Sequence, residues 1–225
     1  MEESAEFLVE DLPRARRVLR IAVIAESYPP DVGDEAATAT RLVEGLRSRE
    51  HDIQLVRPRR HRGDSAAGAE RLQEILTRGM PVPRGLARLW SRSRPDVVYV
   101  LTQGPLGWSA LSAARRLKLP VVSQFNTGFL GHCRRYGIAW LSRPIVAYLR
   151  KFHNRTLWTL VPNEALRAEL AALGFRNLRV AASSADAARW WDVRRIETLL
   201  EVAASLSPYD ASGERRTRTP MPQST

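Results

Sequence analysis

The sequence has one cysteine among its 225 residues, Cys133, so no internal disulfide can form. Its longest apolar runs, such as VLRIAVIA, are far shorter than the roughly 20 residues that a membrane-spanning helix needs. The N-terminus, MEESAEFLVEDLPRARR, opens with acidic residues and lacks the basic-then-apolar order of a signal peptide. These absences together predict a cytoplasmic protein.

The usual cofactor and metal motifs are also missing. The turn after the first apolar run reads AESYPPDVGDEAATAT, and its single glycine, Gly33, excludes both a G-x-G-x-x-G fingerprint and a P-loop. The four histidines show no metal-ligand spacing, which predicts that they lie on the surface or in loops. We therefore expect no nicotinamide, flavin or other cofactor, and no metal.

Lysine is nearly absent from a strongly basic chain. Lysine occurs only at Lys118 and Lys151, so 33 of the 35 cationic residues are arginine, and the net charge is +11. A compositional bias towards arginine and alanine explains this charge as well as an anion-attracting surface does. No basic segment interleaved with aromatic residues, recognition helix or zinc spacing points to nucleic acid, so anionic lipids or phosphorylated ligands are the better candidate partners.

Short apolar runs alternate with helical patterns along the chain. Each run is continuous rather than alternating, as in parallel strands that are covered on both faces. The order predicts an α/β fold with a Rossmann-like, doubly wound, mostly parallel sheet. The predicted strands are 20–25, 52–58, 96–102, 120–125, 157–162 and 177–183, and the predicted helices are 36–50, 83–93, 105–119, 137–156 (bent or broken at Pro144) and 163–174 (Asn163 as N-cap, Gly174 just past the end).

Composition also predicts the domain boundaries. We expect an N-terminal extension over 1–17, one Rossmann-like domain over 18–183, a residual linker and helix over 184–206, and a disordered tail over 207–225. Residues 58–70 are expected to form a polar loop.

Several blocks resemble family 4 retaining glycosyltransferases of the GT-B fold. They are RIAVIAESYPPDVGDEAATATRLVEGLRSREHDIQLVRPR, RPDVVYVLTQGPLGWSALSAARRLKLPVVSQFNT, RRYGIAWLSRPIVAYLRKFHNRT and TLVPNEALRAELAALGFRNLRV. The resemblance is strongest to the GDP-mannose-dependent α-mannosyltransferases. It implies an N-terminal half that binds the acceptor, a C-terminal half that binds a nucleotide sugar of the GDP-mannose type, and retaining transfer without a metal at the reacting centre.

The resemblance also supplies candidate site residues. Asn126 stands in the loop where the family has the histidine of Phe-His-Thr, and an asparagine cannot titrate, so this position is expected to be catalytically inactive. The implied substrate-binding residues are Gly33, Asp34, Gln103, Gly104, Thr127 and Tyr136.

Three of these positions depart from the family pattern or leave alternatives open. Asp34 follows Gly33 where the family has a second small residue, so it either repels a diphosphate or favours the N-terminus of the next helix. Gln103 replaces a frequent glutamate. The amides from Gly104 to Gly107 are still expected to hold a small anion.

Two features bear on whether the chain is active by itself. The C-terminal donor half of the family has no counterpart in the sequence, and RGMPVPRGLARLW looks like the remnant of a longer connection, which predicts a sheet that lacks one strand. Whether the chain is an enzyme is therefore uncertain from sequence. Three hypotheses remain: a glycosyltransferase that is active alone, one half of a split enzyme, and a non-catalytic module that binds anionic lipid or a phosphorylated ligand.

The stretch HCRRYGIAWLSRPIVAYLRKFHNR is basic and aromatic. Such a helix suits a peripheral position at the inner face of the membrane, on anionic lipid. The alternative is an ordinary amphipathic crossover helix whose charges are solvated.

Overall fold

The computed structural model describes residues 17–28, 33–59, 68–69, 72–77, 83–125, 142–181 and 192–207. Its strands are β1 (Arg20–Ile24), β2 (Asp52–Pro58), β3 (Gly68–Ala69), β4 (Leu72–Thr77), β5 (Val97–Val100), β6 (Val121–Gln124), β7 (Trp158–Val161) and β8 (Leu178–Val180). Its helices are α1 (Asp34–Arg47), α2 (Pro83–Arg92), α3 (Pro105–Arg116), α4 (Ser142–His153), α5 (Glu164–Ala172) and α6 (Val193–Ser205).

The strands form one sheet in the order β3-β4-β2-β1-β5-β6-β7-β8. Every neighbouring pair is parallel except the two-residue pairing of β3 with β4. The fold prediction, a Rossmann-like, doubly wound and mostly parallel sheet, is confirmed. All six strands predicted from the apolar runs are present, each within the predicted limits.

The expectation of a missing strand is wrong. β4 pairs in parallel with β2 over six residues, from Ile53 beside Leu72 to Pro58 beside Thr77. The sequence LQEILT hid this strand, because a polar pair interrupts its apolar residues and a charged segment precedes it. The predicted loop over 58–70 is also too long at both ends, since Pro58 closes β2 and Gly68 opens β3.

The two faces of the sheet are covered by different helices. On one face, Ala22 and Ile24 of β1 belong to a core with residues of α2, α3 and α4. On the other, Ile21 and Val23 belong to a core with residues of α1 and α6. A third cluster joins α4 and α5 to the β7–β8 end of the sheet. Both faces are therefore buried, which explains the continuous apolar runs.

The last helix, α6, completes the second face. Its residues Ile196 and Leu200 are fully buried and share a core with Val97, Tyr99 and Val122 of β5 and β6. Gly45 lets α6 approach α1 closely, since a Cβ at that position would lie 3.0 Å from a methyl carbon of Val193. Asp192 caps the helix by accepting hydrogen bonds from the amides of Arg194 and Arg195.

Helix α5 has the predicted ends. The Asn163 side chain accepts a hydrogen bond from the Leu166 amide, and Gly174 follows the helix with a left-handed φ of 83°. The described part of the predicted helix begins at Ser142, so the predicted bend or break at Pro144 stays a prediction. Pro144 lies in the first turn of the described helix, where a proline needs no amide hydrogen. Residues 137–141 of the predicted helix lie outside the described residues.

Candidate functional site

The order of the strands places a crevice at the carboxyl edge of the sheet, between β1 and β5. The connection from β1 runs through α1 to β2 on one side, whereas β5, β6, β7 and β8 follow one another on the other side. Ligands of open α/β sheets bind at such a switch point. Two loops border it here: the one after β1, which contains Glu26, and the one after β5, which contains Gln103 and Gly104.

A carboxylate joins these two loops. Glu26 Oε1 accepts a hydrogen bond of 2.9 Å from the amide of Leu106, in the first turn of α3. Gly104, which precedes the helix, lies against the same carboxylate, because a Cβ there would be 2.2 Å from Glu26 Oε2. The negative charge thus sits on the positive end of the helix dipole, where it is stabilised.

One of the amides from Gly104 to Gly107, which were expected to hold a small anion, thus already donates to the chain's own carboxylate. The expectation for the other amides stays a prediction. Gly107 has a different role: a Cβ there would meet the carbonyl oxygen of Thr102 at 2.1 Å. Glycine at this position lets α3 turn back directly over the end of β5.

Gln103 tethers its loop to the neighbouring strand. Its Nε2 donates a 2.7 Å hydrogen bond to the carbonyl oxygen of Gln124, the last residue of β6. The Gln124 side chain in turn accepts from the buried hydroxyl of Tyr99, and the hydroxyl of Tyr148 donates to the Gln103 carbonyl. These bonds fix the ends of β5 and β6, the two strands that lead into the predicted site.

The first loop of the site ends at the start of α1. Gly33 has φ 142°, and its carbonyl oxygen accepts a hydrogen bond from Ala37 as the helix begins. Asp34 and Glu35 are the first two residues of α1. The carboxylate of Glu35 in this first turn is favoured by the helix dipole, and both interpretations of Asp34 stay predictions.

The three remaining predicted site residues, Asn126, Thr127 and Tyr136, lie outside the described residues. The chain is described up to Phe125, whose amide donates to the Leu160 carbonyl at the carboxyl edge. Phe125 is 1 % exposed and packs edge-on against Phe175. The structure therefore brings Gly33, Gln103 and Gly104 to one edge of the sheet and leaves the assignment of the other three as a prediction.

One of the two described histidines, His153 of α4, contradicts the expectation of surface or loop positions. His153 is fully buried, and its Nδ1 lies 2.9 Å from the Ser123 hydroxyl. Burial lowers the pKa of His153 to about 3, so the ring is neutral at physiological pH. Ser123 is buried as well and also bonds Thr156 and Thr159, so this pair is a structural polar network rather than an accessible nucleophile and base.

His51 is buried too, at the junction of α1 and β2. Its Nδ1 accepts from the Leu19 amide at 3.2 Å, which places the ring proton on Nε2, 3.1 Å from Glu197 of α6. Arg49 adds a 2.8 Å ion pair to the same carboxylate. Within the described residues, His51, Glu197 and Glu201 are a group whose atoms are near enough to hold a metal ion. Both ring nitrogens of His51 already have hydrogen-bond partners, which disfavours a metal site. We call the contacts of Arg49 and His51 with Glu197 the α6 clamp, because they hold α6 against the end of α1.

The family model described as Glycosyltransferase Family 4 matches residues 36–189, well over half of the chain. The chain belongs to this family. It is 31 % identical over 168 residues to a GDP-mannose-dependent alpha-mannosyltransferase of Mycolicibacterium smegmatis, covering 68 % of this chain and 44 % of the relative. A GDP-mannose-dependent alpha-mannosyltransferase of Mycobacterium tuberculosis is 30 % identical over 197 residues, with 80 % and 51 % covered.

The family member thus spans about half the length of these relatives. A shorter similarity, 29 % over 110 residues, links it to the sulfoquinovosyl transferase SQD2 of Arabidopsis thaliana and covers 49 % of this chain and 20 % of that one. Among solved structures, a sucrose-phosphate synthase chain from Thermosynechococcus elongatus superposes with a TM-score of 0.55 at 8 % identity, over 84 % of this chain and 97 % of its own. This likeness supports the fold alone. No helix in the described part of the chain is long and apolar enough to cross a membrane.

Sequence reasoning missed Glu26 as a site residue. The available signal was its position directly after the buried run RIAVIA, at the carboxyl end of the first predicted strand. Its bond to Leu106, 80 residues away, depends on β1 and β5 being neighbours, and that order cannot be read from local patterns.

Proposed function

We propose that this family 4 member supplies the acceptor side of a hexosyl transfer, with mannose from a GDP-mannose-type donor as the transferred sugar. The donor's nucleotide is held by a second domain, and the 225-residue chain alone does not transfer sugar. The proposal is supported by membership of the family and by the similarity to two mannosyltransferases, of which this chain spans about half.

The observation that carries the proposal is the Glu26 carboxylate on the first turn of α3. A unit negative charge roughly 4 to 6 Å from a diphosphate disfavours it by about 1 to 4 kcal/mol, depending on screening. The same carboxylate is a strong acceptor for the hydroxyl groups of a sugar or polyol. The crevice thus suits an acceptor better than a nucleotide diphosphate.

The predicted site residues take roles within this proposal. Gly33 lies in the loop after β1, Gly104 makes room for the Glu26 carboxylate, and Gln103 holds the second loop against β6. Asn126 and Thr127 follow Phe125 in the sequence and would face the transferred sugar, while Asp34 and Tyr136 would contact the acceptor. Asn126 can donate and accept hydrogen bonds there but cannot exchange a proton near neutral pH.

Calorimetry and a transfer assay test the proposal together. GDP-mannose is titrated into the purified chain, and transfer of labelled mannose to a glycolipid acceptor is measured. The assay is repeated with the part of the M. smegmatis relative that lies beyond the matched region, produced as a separate polypeptide. We expect no binding and no transfer from the chain alone, and transfer once the second polypeptide is added. Transfer by the chain alone would contradict the proposal.

A second candidate function, binding to an anionic lipid surface, is favoured by α4. Its residues Arg143, Arg150 and Lys151 are exposed, and each adds about 1 kcal/mol of attraction near an anionic membrane surface. Co-sedimentation with vesicles of phosphatidylglycerol and phosphatidylcholine tests this function. Replacement of the three residues by glutamine is expected to reduce binding at least tenfold, whereas an unchanged bound fraction would argue for an ordinary crossover helix.

A further inference from the structure

A cavity lies at the amino edge of the sheet, on the side opposite to Glu26 and Gln103. It forms where α3 leads into β6 and where α4 leads into β7, and the end of α6 contributes a third wall. Its volume is about 310 Å³, at the lower end of the range for small-molecule sites. We call it the amino-edge cavity and define it by Arg115, Lys118, Arg155, Leu157 and Leu206.

The described charged side chains that line the amino-edge cavity are all cationic. Arg115, Lys118 and Arg155 are exposed, and the described lining includes no carboxylate. The last carbonyl groups of α3 contribute about half a negative charge, which the unit positive charges of Arg115 and Arg155 outweigh. Arg155 is also held in place, because its guanidinium lies 5.4 Å from the centre of the Trp108 ring.

An apolar wall adjoins these cations. Leu157 lines the cavity and is half-buried, whereas Leu206 is 58 % exposed, the highest value for a large apolar residue in the described ranges. A leucine side chain that is more than half exposed beside these cations fits a ligand that has an anionic head and an apolar neighbour. A purely polar anion would use only one side of the cavity.

Lys118 reaches the cavity from a left-handed turn. Its φ is 54°, a conformation that glycine adopts at a lower cost than lysine. The turn is closed by a 2.9 Å hydrogen bond from the Leu119 amide to the Ala114 carbonyl. The substitution Lys118→Gly would keep the turn and remove the cation. It therefore tests the contribution of the Lys118 charge without disturbing the backbone.

We propose that the amino-edge cavity binds the phosphate group of an anionic ligand. The phosphate is carried either by a lipid headgroup or by a soluble phosphate ester. This site is separate from the crevice at the carboxyl edge and from the exposed basic residues of α4, and it does not depend on glycosyl transfer.

Two probes distinguish the sources of the phosphate. Inorganic phosphate is titrated into the full chain by calorimetry, and vesicles of phosphatidic acid in phosphatidylcholine are used in co-sedimentation. The test variants are the triple substitution Arg115→Gln, Lys118→Gln, Arg155→Gln and the single substitution Lys118→Gly. We expect the triple variant to weaken binding of at least one probe tenfold or more, and Lys118→Gly to weaken it about threefold.

A matched control removes three charges elsewhere. The substitutions Arg84→Gln, Arg88→Gln and Arg116→Gln change the net charge equally at exposed positions outside the cavity. Selective loss of phosphate binding in the cavity variants supports a soluble ligand, and selective loss of vesicle binding alone supports a lipid. Equal losses in cavity and control variants, or no response to the cavity substitutions, overturn the proposal. Lys118→Gly guards against misfolding, because its melting temperature should not fall.

Discussion

The ion pair between α1 and α6 allows a quantitative test of how the terminal helix is held. Glu197 is 6 % exposed and serves two partners, with Oε2 accepting from Arg49 and Oε1 accepting from His51. The substitution Glu197→Gln keeps the size of the side chain but removes its charge. It also leaves one acceptor oxygen for two donors.

The expected loss follows from the burial of each partner. Breaking a fully buried ion pair costs about 3 to 5 kcal/mol, whereas losing one hydrogen bond to a charged group costs about 1.5 to 3 kcal/mol. The Arg49 side chain is 17 % exposed and can turn towards water, and the glutamine oxygen retains one of the two bonds. The lower range therefore applies, and the free energy of unfolding should fall by about 1.5 to 3 kcal/mol.

For a chain of this size, that loss lowers the melting temperature by roughly 3 to 12 °C. Differential scanning calorimetry or thermal circular dichroism measures the shift. Glu201→Gln, one turn along the same helix and half-buried, is the control and should cost less than about 1 kcal/mol. Equal shifts in the two variants, together with a zinc-dependent rise in the melting temperature of the unmodified chain, would refute the α6 clamp and indicate a metal site.

Three further predictions concern other parts of the molecule. The pKa of His153 is about 3 in the folded chain and about 6.5 in the unfolded chain. As the pH falls from 7 to 5, the imidazole therefore gains a proton only in the unfolded chain. The free energy of unfolding should fall by about 2 kcal/mol over this range. His153→Phe should flatten that dependence in urea titrations, and an unchanged slope would contradict it. Gly107→Ala should destabilise the chain by about 3 kcal/mol, because the added Cβ would clash with the Thr102 carbonyl oxygen. The control is Gly85→Ala, because Gly85 is also the third residue of its helix but has open space around it. This control substitution should stabilise the chain by about 0.5 to 1 kcal/mol. Asn126→His should transfer faster than the unmodified chain when a donor domain is supplied in trans, and equal rates in that assay would show that the missing imidazole is not limiting.

Much of the fold follows from local patterns. The runs RIAVI and VVYV are continuous because both faces of β1 and β5 are buried, and this pattern predicts central parallel strands. The cap at Asn163 and the glycine at 174 were also readable, because each depends on neighbouring residues only. β4 was missed because its alternation is broken by Gln73 and Glu74, and only its pairing with β2 identifies it.

The candidate site was less predictable. The resemblance led to Gly33, Gln103 and Gly104, and all three lie at the expected edge of the sheet. The roles of Glu26, His51 and His153 could not be read from the sequence, because their partners are 30 to 146 residues away along the chain. Histidine spacing alone gave no sign that both histidines in the described ranges are buried, since burial is a property of the assembled core.

The covering of β5 and β6 by α6 has a consequence for biosynthesis. The buried residues of these strands, including Tyr99 and Val122, are synthesised before Val193, where α6 begins. About 90 residues separate the end of β5 from α6, so the ribosome needs roughly 5 to 20 s to supply the covering helix at ordinary elongation rates. Throughout that interval the part of the sheet that α6 covers, over β5 and β6, lacks its helix, although α1 already covers the same face near β1. This uncovered part is a natural binding surface for ribosome-associated chaperones until α6 emerges and closes it.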